Sequence, residues 1–372
     1  MVATETRART SPSESMRLSP WSWSSSARGP SASPTPGLAA ISGSPFFRNL
    51  VAATNGRALW ILDDVTPLRQ TMPERSGAVG SSPYLFAPAA AVRVRRNVSH
   101  DTPLPPETPM GQNPPAGAVI DYVLPRAVAG PVALEILDSA GRVVRSFSSA
   151  DEPEKVAATR YFAQEWLKPA APLSGAAGHH RFVWDLRGPR PKAEEYEYSI
   201  AAISGEDTPA EPEGVLVPPG IYSVRLRAGG KTQTQPLSVR QDPRMTASPN
   251  DLARQYELAL RTAGEMDRAA GALSEIRGLR KRLETRKEKT FEDIDAKAAA
   301  FETAARRAGS RSEDSLVRLN ARLSGLFLAI ESGDSAPTAQ EAVDSEALGK
   351  ALEKRLADWE ALKKEAAGSG LR

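Results

Sequence analysis

Gly117-Ala118-Val119-Ile120-Asp121-Tyr122-Val123 opens a run of short apolar segments that closes at Val239. A hairpin follows it: Val132–Leu137, the turn Asp138-Ser139-Ala140-Gly141, then Arg142–Phe147. Next come His180-Arg181-Phe182-Val183-Trp184-Asp185-Leu186 and a last hairpin, Gly220–Ala228, Gly229-Gly230, Lys231–Val239. Phe182, Trp184 and Leu186 alternate with polar neighbours, as do Tyr222, Val224 and Leu226 with Ser223, Arg225 and Arg227. Period-two patterning of this kind places one face of each strand in a core. Gly229-Gly230 supplies the positive φ values of a tight turn. The spacing predicts an antiparallel β-sandwich over residues 117–241.

Working outward to the C-terminal side, Asp242-Pro243-Arg244 ends the sheet and Ser248-Pro249-Asn250-Asp251 starts a helix. Ser248 is the expected N-cap, Pro249 the first helical residue and Asp251 a short stand-in for the capping-box acid. Three-and-four spacing of Leu252, Tyr256, Leu260, Ala263, Met266, Leu273, Ile276 and Leu283 continues that helix. Phe291, Ile294, Ala298, Phe301, Ala305 and Ala308 mark a second. Leu316 to Ile330 and Leu348 to Leu362 mark a third and a fourth, with breaks at Gly309 and at Gly333 with Pro337. Four amphipathic helices with short turns predict an antiparallel bundle or a pair of helical hairpins over 242–366.

On the N-terminal side, residues 73–116 are proline-dense and read as a linker, because proline removes ladder donors and fixes φ. Tyr84-Leu85-Phe86 and Val92–Val94 are candidate short strands within it. Before it, Phe46–Thr54 and Ala58–Asp64 flank Asn55-Gly56-Arg57, a hairpin signal over residues 46–72. Residues 1–45, rich in Ser, Pro and Arg, read as a disordered tail without the apolar stretch of a secretory signal. A start displaced from the true upstream sequence is the alternative expectation for that tail.

Three phrases carry a resemblance. Asn49–Gln70, with Trp60-Ile61-Leu62-Asp63-Asp64 and Thr66-Pro67-Leu68-Arg69-Gln70, resembles the last blade and exit of large bacterial β-propeller proteins of the sialidase-type (BNR/Asp-box) or sortilin-like class. Asn113-Pro114-Pro115-Ala116-Gly117-Ala118 with Ile120-Asp121-Tyr122, and Arg181-Phe182-Val183-Trp184-Asp185-Leu186-Arg187-Gly188-Pro189, are similar to the same family's later segments. The likeness spans about Asn49 to Glu365. The chain departs at Asn55, where the family has His, and it contains neither preceding blades nor an Asp-box. The predicted sandwich, with Pro218-Pro219-Gly220-Ile221-Tyr222 after Trp184-Asp185, also resembles the Ig-like domain of flagellar-hook capping proteins. The fold class implied is mixed: a remnant blade hairpin, an Ig-like sandwich, then a helical bundle.

The chain has 372 residues, enough for two or three domains, and no cysteine, which excludes disulfides and thiolate chemistry. Its net charge of +3 comes from 48 basic and 45 acidic residues. No domain-wide basic face argues for nucleic acid, and no apolar run reaches the length of a bilayer span.

Asp63, Asp64 and Asp121 are the acids nearest aromatic residues, where a glycosidase pair would be sought. Such a pair must face across a cleft, and neighbours in a strand point to opposite faces; structural roles are expected. Trp184-Asp185 lacks the roughly 40-residue period of WD repeats and reads as core. His179-His180 lacks further ligands for a metal, and His100 is distant. Gly333-Asp334-Ser335 echoes a hydrolase motif without a base to activate the serine. Arg277–Lys289 reads as a solvated basic face, and Arg93, Arg95 and Arg96 as an exposed strand edge.

No catalytic, cofactor-binding or metal residue is assigned. The expected role is a non-catalytic binding or scaffolding module with a protein or carbohydrate partner. The alternatives are a glycosyl-hydrolase relative whose active site lies in missing blades, and a module that self-associates through its helices. The resemblance implies export, to the periplasm or beyond the cell.

Overall fold

A computed structural model describes residues 38–40, 49–54, 59–70, 82–95, 114–153, 171–198, 210–286, 288–302 and 315–369. It has mixed strand and helix content. In chain order come β1 (Leu38–Ala40), β2 (Leu50–Thr54), β3 (Leu59–Leu62) and the one-turn helix α1 (Thr66–Arg69). Then follow β4 (Tyr84–Leu85), β5 (Ala91–Arg93), β6 (Ala118–Leu124), β7 (Ala133–Leu137), β8 (Val143–Ser148) and β9 (Gly178–Trp184). After these lie β10 (Glu197–Tyr198), β11 (Ala210–Glu211), β12 (Gly220–Ala228) and β13 (Lys231–Gln241). Four longer helices end the chain: α2 (Pro249–Leu283), α3 (Lys289–Glu302), α4 (Leu316–Ile330) and α5 (Ala339–Gly368).

The chain forms two compact units, and the division falls inside β2 and β3. In the first, β1 pairs antiparallel with β2 from Leu38↔Thr54 to Ala40↔Ala52, in a sheet ordered β1-β2-β3. Strand β1 lies in the stretch read as tail. The apolar runs flanking Asn55-Gly56 are strands; that turn lies outside the described residues, as do 1–37 and 96–113.

In the second unit, two sheets share one apolar core. The five-stranded sheet is ordered β5-β13-β12-β7-β8 and the three-stranded sheet β4-β6-β9. Leu134, Ile136, Tyr222, Val224, Leu226 and Leu237 come from the first, and Leu85, Ile120, Tyr122 and Trp184 from the second. The alternation in β12 is the reason: Tyr222, Val224 and Leu226 are buried, while Ile221 on the opposite face is exposed. Gly229 and Gly230, at φ +55° and +73°, make the β12–β13 turn. Trp184 is fully buried, its Nε1 donating to the Arg187 carbonyl at 2.9 Å and its ring 5.9 Å from that of Tyr222. Both β4 and β5 belong to these sheets, although they lie in the proline-dense stretch read as linker.

The helices hold a second core around Met266, Leu273, Ile276, Ile294, Leu323, Phe327, Leu352 and Trp359. Ser248 caps α2 by accepting from Asp251 N, with Pro249 next to it, and Thr338 and Glu341 form a reciprocal capping box on α5. Contacts set the directions. Asn320 reaches the Met266 carbonyl and Gln255 the Ile330 carbonyl, so α4 runs antiparallel to α2. Arg280 pairs with Asp295 and Arg277 with Glu302, so α3 does too, beside the distal half of α2. Arg268 with Glu353 and Glu275 with Trp359 set α5 parallel to α2. Two half-length helices thus stand end to end against two long parallel ones. The antiparallel bundle or pair of helical hairpins expected from apolar spacing and short turns differs from this at α5, because spacing marks a buried face without naming what covers it.

Candidate functional site

The three phrases that carry the resemblance meet at Arg181. Strand β9 pairs antiparallel with β6, setting Arg181 opposite Asp121. Arg181 Nε donates to Asp121 Oδ1 at 3.1 Å and Nη2 to Oδ2 at 3.3 Å, the two-pronged geometry that guanidinium and carboxylate favour. The remaining reach of the guanidinium goes to the chain leaving β3. Nη1 donates to the Asp63 carbonyl at 2.7 Å and Nη2 to the Asp64 carbonyl at 2.9 Å.

That exit segment is braced from its own sequence. The Asp64 N–H donates to Asn49 Oδ1 at 3.2 Å, and Asp64 Oδ1 accepts from Thr66 N at 3.0 Å, closing a turn at φ +52° that leads into α1. An Asp tolerates this left-handed conformation because its short carboxylate bonds locally. Gln70 then pins the segment to the sheets: Nε2 donates to the Ala87 carbonyl at 2.7 Å and Oε1 accepts from Ala87 N at 2.9 Å. Phe86 N in turn donates to the Asp121 carbonyl at 3.0 Å.

Asp121 is 2 % exposed. Its Oδ1 takes a second contact from His179 Nε2 at 3.1 Å, so both carboxylate oxygens are engaged. Asp63 and Asp64 follow β3 rather than lie in it, and they present backbone carbonyls to Arg181. The arrangement brings the three singled-out acids to one junction. What it does chemically is hold two chain segments in register. His180 points elsewhere, its Nε2 2.7 Å from the Ala176 carbonyl and its ring 5.0 Å from that of Tyr122. Among the described residues no group of three or more His, Asp or Glu is placed to hold a metal. No helix among them is long and apolar enough to cross a membrane.

One sequence reading changes. Arg93 and Arg95 are not an exposed edge: Arg93 is 2 % exposed, and both guanidiniums bind Asp334, the acid of the Gly-Asp-Ser echo. The partners stand some 240 positions apart, so no local pattern announces them. Arg277 and Arg280 in the basic stretch pair with Glu194, Glu302 and Asp295, and Arg286 stacks over the Phe291 ring at 5.6 Å. His100, Arg96 and Lys287 lie outside the described residues.

A shallow groove of about 470 Å³ runs between α2 and α5 over Gly271, Ala272, Leu356 and Trp359. Side chains bond across it, Arg268 with Glu353 at 2.6 Å and Trp359 Nε1 donating to Glu275 at 3.0 Å. No protein-family model matches this chain, and no curated protein matches it.

Proposed function

We propose that this chain is a non-catalytic binding and scaffolding module, the C-terminal portion of a propeller-containing exported protein. In this reading its paired sheets are an Ig-like sandwich and its helices a bundle that docks a partner, protein or carbohydrate. The observation that carries the reading is the Arg181 junction. It gathers Asp63 and Asp64 from the first phrase, Asp121 from the second and Arg181 from the third. Strand β3 supports the same reading, because Trp60, Ile61 and Leu62 are 65 %, 60 % and 44 % exposed. Apolar strand surface of that kind suits coverage by a further blade.

The test is turnover of a panel of glycosides, sialosides included, by the purified chain and by Asp121→Asn. Absence of turnover in both is the expected result. Turnover by the purified chain that Asp121→Asn abolishes would overturn the proposal.

A further inference from the structure

The sheet core and the helical core are fastened to one another at two separate places. At the first, the turn after α4 enters a cluster of arginines from the sheets. The Asp334 carboxylate, on a side chain 2 % exposed, accepts from Arg93 and Arg95, and Arg95 also reaches the Glu331 carbonyl. Glu331 Oε2 accepts from Arg187 Nη1 at 3.3 Å and from Leu216 N at 3.3 Å, while Arg187 Nη2 holds Glu213 at 2.9 Å. Arg93 Nε closes the cluster on the Val217 carbonyl at 2.8 Å.

At the second place, the chain between Arg187 and Tyr198 leaves the sheets and lies on α2 and α4. Asn320, fully buried, accepts from Glu194 N at 2.8 Å and donates to the Lys192 carbonyl at 2.9 Å and the Met266 carbonyl at 3.1 Å. Lys192 N donates to Asp267 Oδ1 at 2.7 Å. Ala193 packs on the helical core, and Val215, further along, is part of it. Tyr256 of α2 packs against both cores.

A single polar contact between two bodies leaves rotation about that contact free. Glu331, the C-cap of α4, lies eleven positions beyond Asn320, roughly 16 Å at the rise of an α-helix. Two contacts that far apart remove the rotation. The joint combines hydrogen bonds and ion pairs with the apolar contacts of Ala193, Val215 and Tyr256.

We propose that the Glu331–Asp334 turn and the Asn320 clasp together form a two-point fastening that makes the sheets and the helices one rigid strut, each point being needed. Loss of either frees the helices to swing about the Asp242–Ser248 connection. The fastening holds whatever partner the chain grips, so its failure and that of the functional reading are separable.

The chain has no cysteine, so Thr232→Cys on the β12–β13 hairpin and Lys364→Cys on α5 give one clean spin-label pair. Pulsed electron–electron resonance on the full chain is expected to give a single narrow distance. The paired substitution Arg93→Met with Asp334→Leu removes the turn's central ion pair while leaving apolar groups that can pack. Asn320→Leu with Asp267→Ala and Arg277→Met removes the clasp's side-chain bonds to the Lys192–Glu194 segment. Each is expected to lose the narrow distance and give a broad distribution, with far-UV circular dichroism unchanged. Arg95→Met with Arg187→Gln, which strips the part-exposed arginine bonds from the Glu331 carbonyl and carboxylate and one from Asp334, serves in place of the double substitution if that protein does not fold. A narrow distance retained after either point is broken overturns the proposal, because the other contact would then suffice alone.

Discussion

Gln233 and Leu85 are bonded as though their strands were neighbours in one sheet. Gln233 Oε1 accepts from Leu85 N at 2.7 Å and its Nε2 donates to the Pro83 carbonyl at 2.8 Å, while Gln235 Nε2 reaches the Leu85 carbonyl at 3.1 Å. Side-chain amides of β13 thereby do for β4 what a paired backbone would. They close the gap between the two sheets at that edge and satisfy groups that proline-interrupted chain leaves open.

Gln233→Leu is therefore expected to destabilise by about 1–3 kcal/mol, since it strips partners from Leu85 N and the Pro83 carbonyl without replacing them. Urea unfolding should show a lower midpoint at unchanged slope. A neutral result would mean that water takes over both groups.

Gly214→Ala should be severe for a different reason. A Cβ at Gly214 would stand 2.0 Å from the Gly188 carbonyl oxygen, a backbone atom that cannot rotate away. Here two segments run side by side, with Gly188 N donating to the Val215 carbonyl and Val217 N to that of Leu186, both at 2.9 Å. Glycine is needed for the approach, not for an unusual φ. Thermal unfolding of the alanine variant, compared with Gly230→Ala, checks this, because Gly230 at φ +73° has nothing within 4 Å. The first is expected to lose the cooperative transition; the second should lose only about 1 kcal/mol from backbone strain.

Asp334 should govern part of the acid limb of stability. Burial pushes its carboxyl up, but the guanidiniums of Arg93 and Arg95 outweigh that and hold it below the usual carboxylate range. A group whose folded pKa lies below its unfolded value contributes stability above the unfolded value, and that contribution is lost as pH falls through the folded one. The affected window is thus below about pH 4. Asp334→Asn leaves Arg93 buried without its counter-ion, at a cost of about 3–5 kcal/mol near neutrality. The difference between wild type and variant should shrink as pH drops through that window. Denaturant titrations at neutral and acid pH read both numbers; a gap independent of pH would contradict the assignment.

The features legible in the sequence are those written within a few positions. The β12–β13 hairpin needs only alternation and Gly229-Gly230. The start of α2 needs only Ser248, Pro249 and Asp251. Strands β4 and β5 were visible as short apolar runs, yet proline around them suggested a linker. Their inclusion in the sheets depends on Gln233, Gln235 and Asp334, all far along the chain. Arg93 and Arg95 misread for the same reason: an arginine on a short strand looks like an edge until its acid is known. The parallel setting of α2 and α5 was hidden because a helix's apolar stripe is identical whichever way its neighbour runs. Of the candidate site, the residues were nameable but their meeting was not, because Asp121 and Arg181 become neighbours only through the β6–β9 pairing.

Arg181→Met gives that junction its own test. The substitution keeps most of the stem's apolar contact while removing every donor to Asp121, Asp63 and Asp64. Asp121 would remain buried beside the half-exposed His179, so destabilisation of about 3 kcal/mol is expected. The more telling readout is local. Hydrogen exchange should quicken in the exit segment 61–70 and at Ala87 and Phe86, whose amides belong to the same brace. Exchange in the helical core around Met266 should quicken only as far as global stability falls. If protection is lost equally in the exit segment and in the helices, Arg181 supports the whole unit rather than the junction, and the bracing role assigned to the three phrases fails with it.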